Sequence, residues 1–170
     1  MKNLRIVFDM SFVNKSRTGT YVYGHELSSA VGSLSNCEVL PIDGFSTDPS
    51  PTVLQKIKTG TKGLRWIQFG LPAALKKLKA DVLHSGAFLG PMRAPCPFVL
   101  NVFDAFSVTQ ANWYDYRWRF YARMIEPSMK RAAAVITVSE YSKKQIAKVY
   151  NTPENRIQVI YPGVGEPFKS

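Results

Sequence analysis

Short apolar runs recur along this chain, each followed by a stretch long enough for a helix. That alternation narrows the fold more than any other feature. Asn3-Leu4-Arg5-Ile6-Val7-Phe8-Asp9 is mostly apolar, β-branched at its centre, and reads as a strand. A loop with Asn14, Ser16, Thr18 and Gly19 follows, and Thr20 to Leu34 then reads as a helix with Val22, Leu27 and Val31 on one face. Further strands are predicted at Cys37 to Ile42, Asp81 to His84, Phe98 to Phe103, Ala134 to Val138 and Ile157 to Ile160. Residues 53–79 read as helical with a break at Gly70 and Pro72; Leu71, Leu75 and Leu78 face inward there, and Lys76, Lys77 and Lys79 face out. Residues 113–133 form an aromatic helix with a kink expected before Pro127. Ser139 has N-cap chemistry for a helix from Glu140 to Tyr150. Near-continuously apolar strands alternating with helices predict an α/β, Rossmann-like, doubly wound and mostly parallel sheet with helices on both faces.

Composition bounds what such a sheet can serve. A chain of 170 residues with 45% hydrophobic content holds one domain with a real core. No apolar stretch reaches the roughly 18 residues of a spanning helix. Asp9 interrupts the first apolar run, so no signal peptide is expected. Two cysteines, Cys37 and Cys96, suit a reducing compartment rather than a disulfide framework. Two histidines, His25 and His84, are too few for a His-rich metal site. The net charge is +10, and residues 52–80 hold seven of the basic side chains and no acidic one: Lys56, Lys58, Lys62, Arg65, Lys76, Lys77 and Lys79. Such a segment is either a solvated helix face or a patch for anions.

In a doubly wound sheet, ligands bind outside the carboxyl ends of the strands. Asp9 and the loop Arg17-Thr18-Gly19-Thr20 follow the first strand. His84, Ser85 and Gly86 follow the third, Asp104 and Ser107 the fourth, and Ser139 and Glu140 the fifth. Gly19 before a helix either makes a turn or lets an anion approach the free N–H groups. His84 is either a buried, hydrogen-bonded histidine or a site residue. Ser139 is either a cap or a ligand contact. Asp104 opens a loop where structure has less need of a carboxylate. Trp113, Tyr116, Trp118, Phe120 and Tyr121 read as packing rather than a stacking platform. Neither G-x-G-x-x-G nor G-x-x-x-x-G-K-[ST] occurs.

The order of these motifs resembles the N-terminal, acceptor-side domain of family 4 glycosyltransferases, retaining enzymes of GT-B fold. Arg17-Thr18-Gly19-Thr20-Tyr21 resembles the family's glycine loop. Trp66 to Pro72 followed by Ala80 to Ser85 resembles its "W-x-Q … L-P … D-V-x-H-S" run. Pro97 to Asp104 resembles "P-x-V-x-T-x-H-D", with Phe103 in place of the histidine. Arg131 to Glu140 resembles "R-A-D-x-V-I-x-V-S-E", and Val159 to Val164 resembles the segment leading into the second domain; Gly165 stands where the family often has aspartate.

The resemblance implies that Thr18, Gly19 and Thr20 face the donor diphosphate. Asp104 would position the acceptor, with Arg17, Tyr21, His84, Ser85, Phe103, Ser139 and Glu140 around the cleft. It also implies a nucleotide-sugar donor, a glycan or lipid-linked acceptor and metal-independent transfer without a cofactor. A second domain carrying an E-x7-E motif would bind the donor. Residues 1–170 are therefore expected to be the acceptor half, with the nucleotide-sugar domain outside them, and to be inactive alone. The basic segment, with Trp66, Ile67 and Phe69, suits an interfacial element at the cytoplasmic face of an anionic membrane. The alternative is a non-catalytic sugar- or nucleotide-binding module. A nucleic-acid domain ranks last, since no recognition-helix, RRM or zinc pattern occurs.

Overall fold

The computed structural model describes residues 3–13, 19–44, 62–110 and 116–163. Six strands form one sheet: β1 (Leu4–Asp9), β2 (Cys37–Ile42), β3 (Val82–Ser85), β4 (Phe98–Asn101), β5 (Ala134–Thr137) and β6 (Ile157–Val159). Their order is β2-β1-β3-β4-β5-β6, and every pairing is parallel. The expected α/β sheet is present, wholly rather than mostly parallel. Pro41 lies in β2, an edge strand, where a missing N–H is tolerated.

The helices are α1 (Gly19–Gly32), α2 (Leu71–Leu78), α3 (Phe106–Thr109), α4 (Tyr116–Arg131) and α5 (Glu140–Val149). Alternation along β1 divides the core. Val7 packs with Ile67, Leu71 and Leu75 on one face. Ile6 and Phe8 pack with Tyr21, Leu27 and Val31 of α1 on the other. The centre of β1 thus finds apolar cover on both faces, as a doubly wound sheet requires.

Two expectations change. Val22 does not share the inward face with Leu27 and Val31. It is half exposed, because five residues of helix turn it well away from Leu27, and Gly24 is buried instead. There is also no break at Gly70. The chain stays helical through a π-helical turn, Trp66–Gly70, and runs directly into α2 with Pro72 in its first turn. Leu71 and Leu75 are buried and Leu78 packs against the core, as expected. α2 ends at Lys79, whose backbone is left-handed (φ 51°, ψ 47°) and whose N–H reaches the Leu75 and Lys76 carbonyls. The predicted helix over 53–61 lies outside the described residues.

Candidate functional site

The strand order reverses between β1 and β3, the switch point where an open parallel sheet leaves a crevice at its carboxyl edge. Asp9 ends β1 there, opposite Ser85 of β3 and Ile42 of β2. It is 3% exposed. Its Oδ1 accepts from the Ser11 hydroxyl (2.5 Å), the Ser11 amide (3.1 Å) and the Trp66 indole N–H (3.3 Å). The Ser11 hydroxyl in turn accepts from the Gly44 amide at 2.8 Å. Burial raises the Asp9 pKa above the usual carboxylate value, and the Ser11 and Trp66 donors oppose that rise without cancelling it.

The Trp66 indole reaches Asp9 because two glycines make room for it. A Cβ on Gly44 would lie 1.8 Å from the Trp66 ring, and one on Gly70 would lie 2.5 Å from it. The π turn sets this geometry, re-aiming Trp66 within an otherwise regular helix. Gln68 on the same turn accepts from the Met92 amide at 3.0 Å and ties the helix to the loop after β3. The W-x-Q run is thus a structural clasp around the end of β1.

A second cluster lies beside it. His84 stacks on Phe8 with ring centroids 4.3 Å apart and planes within 8°. Burial lowers its pKa to about 4, partly offset by the neighbouring Asn101 side chain. Asn101, at the end of β4, also lies beside Tyr23 of α1. Yet Tyr23 Oη, His84 Nε2 and both amide atoms of Asn101 are buried with no hydrogen bond of ordinary geometry. Phe103 meets Tyr23 edge-on at 5.3 Å and Phe88 at 5.7 Å. Its carbonyl accepts from Thr137 Oγ1 at 3.5 Å. Tyr23 and Asn101 escaped the sequence reading: one sits mid-helix and the other inside an apolar strand, and only the fold brings them to His84.

Other predicted residues have structural duties. The Ser85 hydroxyl donates to the Leu89 carbonyl at 2.5 Å. Ser139 caps α5, its Oγ accepting from the Ser142 amide at 3.1 Å, and Glu140 lies exposed in the first turn. Asp104 Oδ1 accepts from the Phe106 amide at 2.9 Å and starts the short helix α3, which holds Ser107. Tyr21 packs against the Phe8 cluster with its ring 4.2 Å from His25. Gly19 and Thr20 open α1. Gly19 has no left-handed backbone, and a Cβ there would meet nothing within 4 Å, so no turn demands glycine. Arg17, Thr18, Lys56 and Lys58 lie outside the described residues.

Lys62, Arg65, Lys76, Lys77 and Lys79 are all exposed along the helical segment, and Phe69 among them is 74% exposed. Arg5–Glu38 and Lys130–Glu126 form ion pairs elsewhere in the fold. Among the described residues, no helix is long and apolar enough to cross a membrane, and no group of three or more His, Cys, Asp or Glu could hold a metal ion. Both cysteines are free thiols.

A comparison with curated proteins finds no match for the chain. The family model described as Glycosyltransferase Family 4 matches residues 47–165. The match spans most of the chain and agrees with the parallel sheet and the order of motifs along its edge: the chain belongs to glycosyltransferase family 4.

Proposed function

We propose that this domain is the acceptor-binding half of a retaining glycosyltransferase. It would receive a sugar from a nucleotide-sugar held by a second lobe and pass it to a glycan or lipid-linked acceptor in cell-surface polysaccharide or glycoconjugate synthesis. The observation that carries this reading is the carboxyl edge at the β1–β3 switch point, where Asp9 ends β1 opposite Ser85, and Asn101 ends β4 beside His84. Gly19 opens α1, and a Cβ there would meet nothing within 4 Å among the described residues, which suits close approach of a diphosphate to its N–H.

Retaining transfer breaks the bond from the anomeric carbon to the diphosphate and adds the acceptor hydroxyl from the same face. The leaving diphosphate needs donors aimed at its developing charge. Gly19 would supply one backbone N–H, and the second lobe would supply cationic side chains and glutamate. Asp104 would orient the acceptor hydroxyl, with the leaving phosphate taking its proton. No metal enters this scheme.

Sugar transfer by the two-lobed protein tests the reading. Asp104→Asn keeps an oxygen for the Phe106 amide and removes the charge, so the fold should persist while transfer falls about tenfold or more. Undiminished transfer would remove Asp104 from the acceptor site. Robust turnover by residues 1–170 alone would refute the half-site reading.

The second reading, a non-catalytic sugar- or nucleotide-binding module, draws on Phe103, whose ring packs between Tyr23 and Phe88 and offers no polar group to a sugar. Binding of acceptor without transfer by the two-lobed protein would favour it.

The basic helix suits peripheral attachment at the cytoplasmic face of the membrane, with Phe69 entering the interface and the exposed lysines and arginine meeting anionic headgroups. Vesicles with anionic lipid should co-sediment the protein and neutral vesicles should not. Equal binding to both would exclude the electrostatic attachment.

A further inference from the structure

We propose that Asp9 is a positioning residue for the sugar transfer: through the turn Met10–Val13 it fixes the tilt of α1, and so the place of the Gly19 amide at the donor diphosphate. The diphosphate clause rests on the reading of Gly19 above; the hold on α1 does not.

Three segments meet on one carboxyl. Asp9 is 3% exposed, and its Oδ1 accepts from the Ser11 amide, the Ser11 hydroxyl and the Trp66 indole, while Oδ2 takes none of these bonds. The Ser11 hydroxyl extends the hold to the Gly44 amide after β2. The Asp9 carbonyl accepts from the Gly86 amide after β3 at 3.3 Å. The turn itself is tight: the Val13 amide donates to the Met10 carbonyl at 3.0 Å, and the Met10 amide donates to the Ile42 carbonyl at 2.9 Å. Ser11 is 8% exposed. Without the Asp9 oxygen, its amide and the Trp66 indole would lose their acceptor, and the turn would rearrange to find another.

That turn carries α1. Met10 and Val13 cluster with Phe8, and Tyr21, Leu27 and Val31 of α1 pack against them. Among the described residues Gly24 is the only buried one of α1, and a Cβ there would lie 3.2 Å from Met10 and 3.3 Å from Val13. The side chains of the turn thus rest directly on the helix backbone, so a movement of the turn passes to the helix. Gly19 opens α1 five residues before Gly24. That is about 7.5 Å along the axis, so a tilt of about 10° displaces the Gly19 amide by about 1 Å. An error of that size in a group that meets substrate is costly. A carboxyl oxygen suits the task because it takes three donors from fixed directions at once, where apolar packing would let the turn slide.

The test is nitrogen-15 NMR of the protein, with the Gly19 peak assigned by its loss in Gly19→Ala. Residual dipolar couplings of the amides give the tilt of α1 against the sheet without any ligand, and titration with inorganic pyrophosphate reads the Gly19 amide. Asp9→Leu should change the α1 couplings and weaken the pyrophosphate response about fivefold or more. Asp9→Asn keeps Oδ1 for all three donors, and should stay within about twofold of wild type in both readouts. Unchanged α1 couplings in Asp9→Leu would overturn the inference, as would an equal loss in Asp9→Asn. If Asp9→Leu does not fold, Ser11→Ala takes its place: it should shift the same couplings in the same direction by less, and unchanged couplings there would overturn the inference too. A wild-type Gly19 amide indifferent to pyrophosphate overturns the diphosphate clause together with the reading of Gly19, and the ligand-free couplings then decide the hold on α1 by themselves.

Discussion

Replacing His84 by glutamine should flatten the acid limb of the stability curve. His84 sits on β3, 7% exposed and stacked on Phe8, and its pKa falls from 6.5 to about 4. As pH drops below 6.5 the unfolded chain takes up a proton on this side chain and the folded chain does not. The unfolded state then binds more protons, so stability rises with pH and is lost on acidification until the folded pKa near 4 is reached. With these two pKa values the loss between pH 7 and pH 5 is about 2 kcal/mol. Asp9 acts with the opposite sign. Its raised pKa lets the folded protein hold a proton that the unfolded chain releases above 3.8, so its contribution declines as pH rises through the folded value. Comparing wild type with His84→Gln cancels the Asp9 effect. Urea denaturation at pH 7, 6 and 5 should show wild type losing about 2 kcal/mol more than the variant over that span. The pH 7 intercept also shifts, because the stack on Phe8 is lost, so only the slope is diagnostic. Parallel curves for the two proteins would refute the argument that His84 is buried in its neutral form.

Three further substitutions probe the elements around the site. Gly70→Ala would ordinarily strengthen a helix, since Gly70 has helical φ and ψ; here the new methyl would meet the Trp66 ring at 2.5 Å, so denaturant melts should show a loss of about 1–3 kcal/mol with altered tryptophan fluorescence. Lys79→Gly relieves the left-handed backbone at the end of α2, and should raise stability by about 1 kcal/mol in the same melts. Ser139→Ala removes the oxygen that accepts from the Ser142 amide, and should cost about 1 kcal/mol by thermal or urea unfolding.

Much of the fold was legible because fully covered parallel strands must be apolar on both faces. Cys37–Ile42 matched its predicted span, and β1, β3, β5 and β6 fell within a residue or so of theirs. Ser139 declared its cap by residue type and position. The inward leucines of α2 were set by helical spacing, which survives without any knowledge of neighbours. Val22 was misplaced because an apolar residue in a helix does not by itself say which face it occupies. The helical stretch through Gly70 looked like a break because Gly and Pro punctuate sequences; in the fold, Gly70 is the space that the Trp66 ring fills.

The sequence by itself determined the alternation of strand and helix, the family and the concentration of positive charge, since each is written in local composition or linear order. Only the tertiary structure decided what the edge residues do. It turned W-x-Q into a clasp on Asp9, gave the Ser85 hydroxyl to Leu89, and set Asp104 to start α3. It also brought Tyr23, His84 and Asn101 into one buried polar cluster. The physical reason is that burial and hydrogen bonding depend on which distant segments share an edge, and in a parallel sheet the crossovers that set this join residues far apart in the chain.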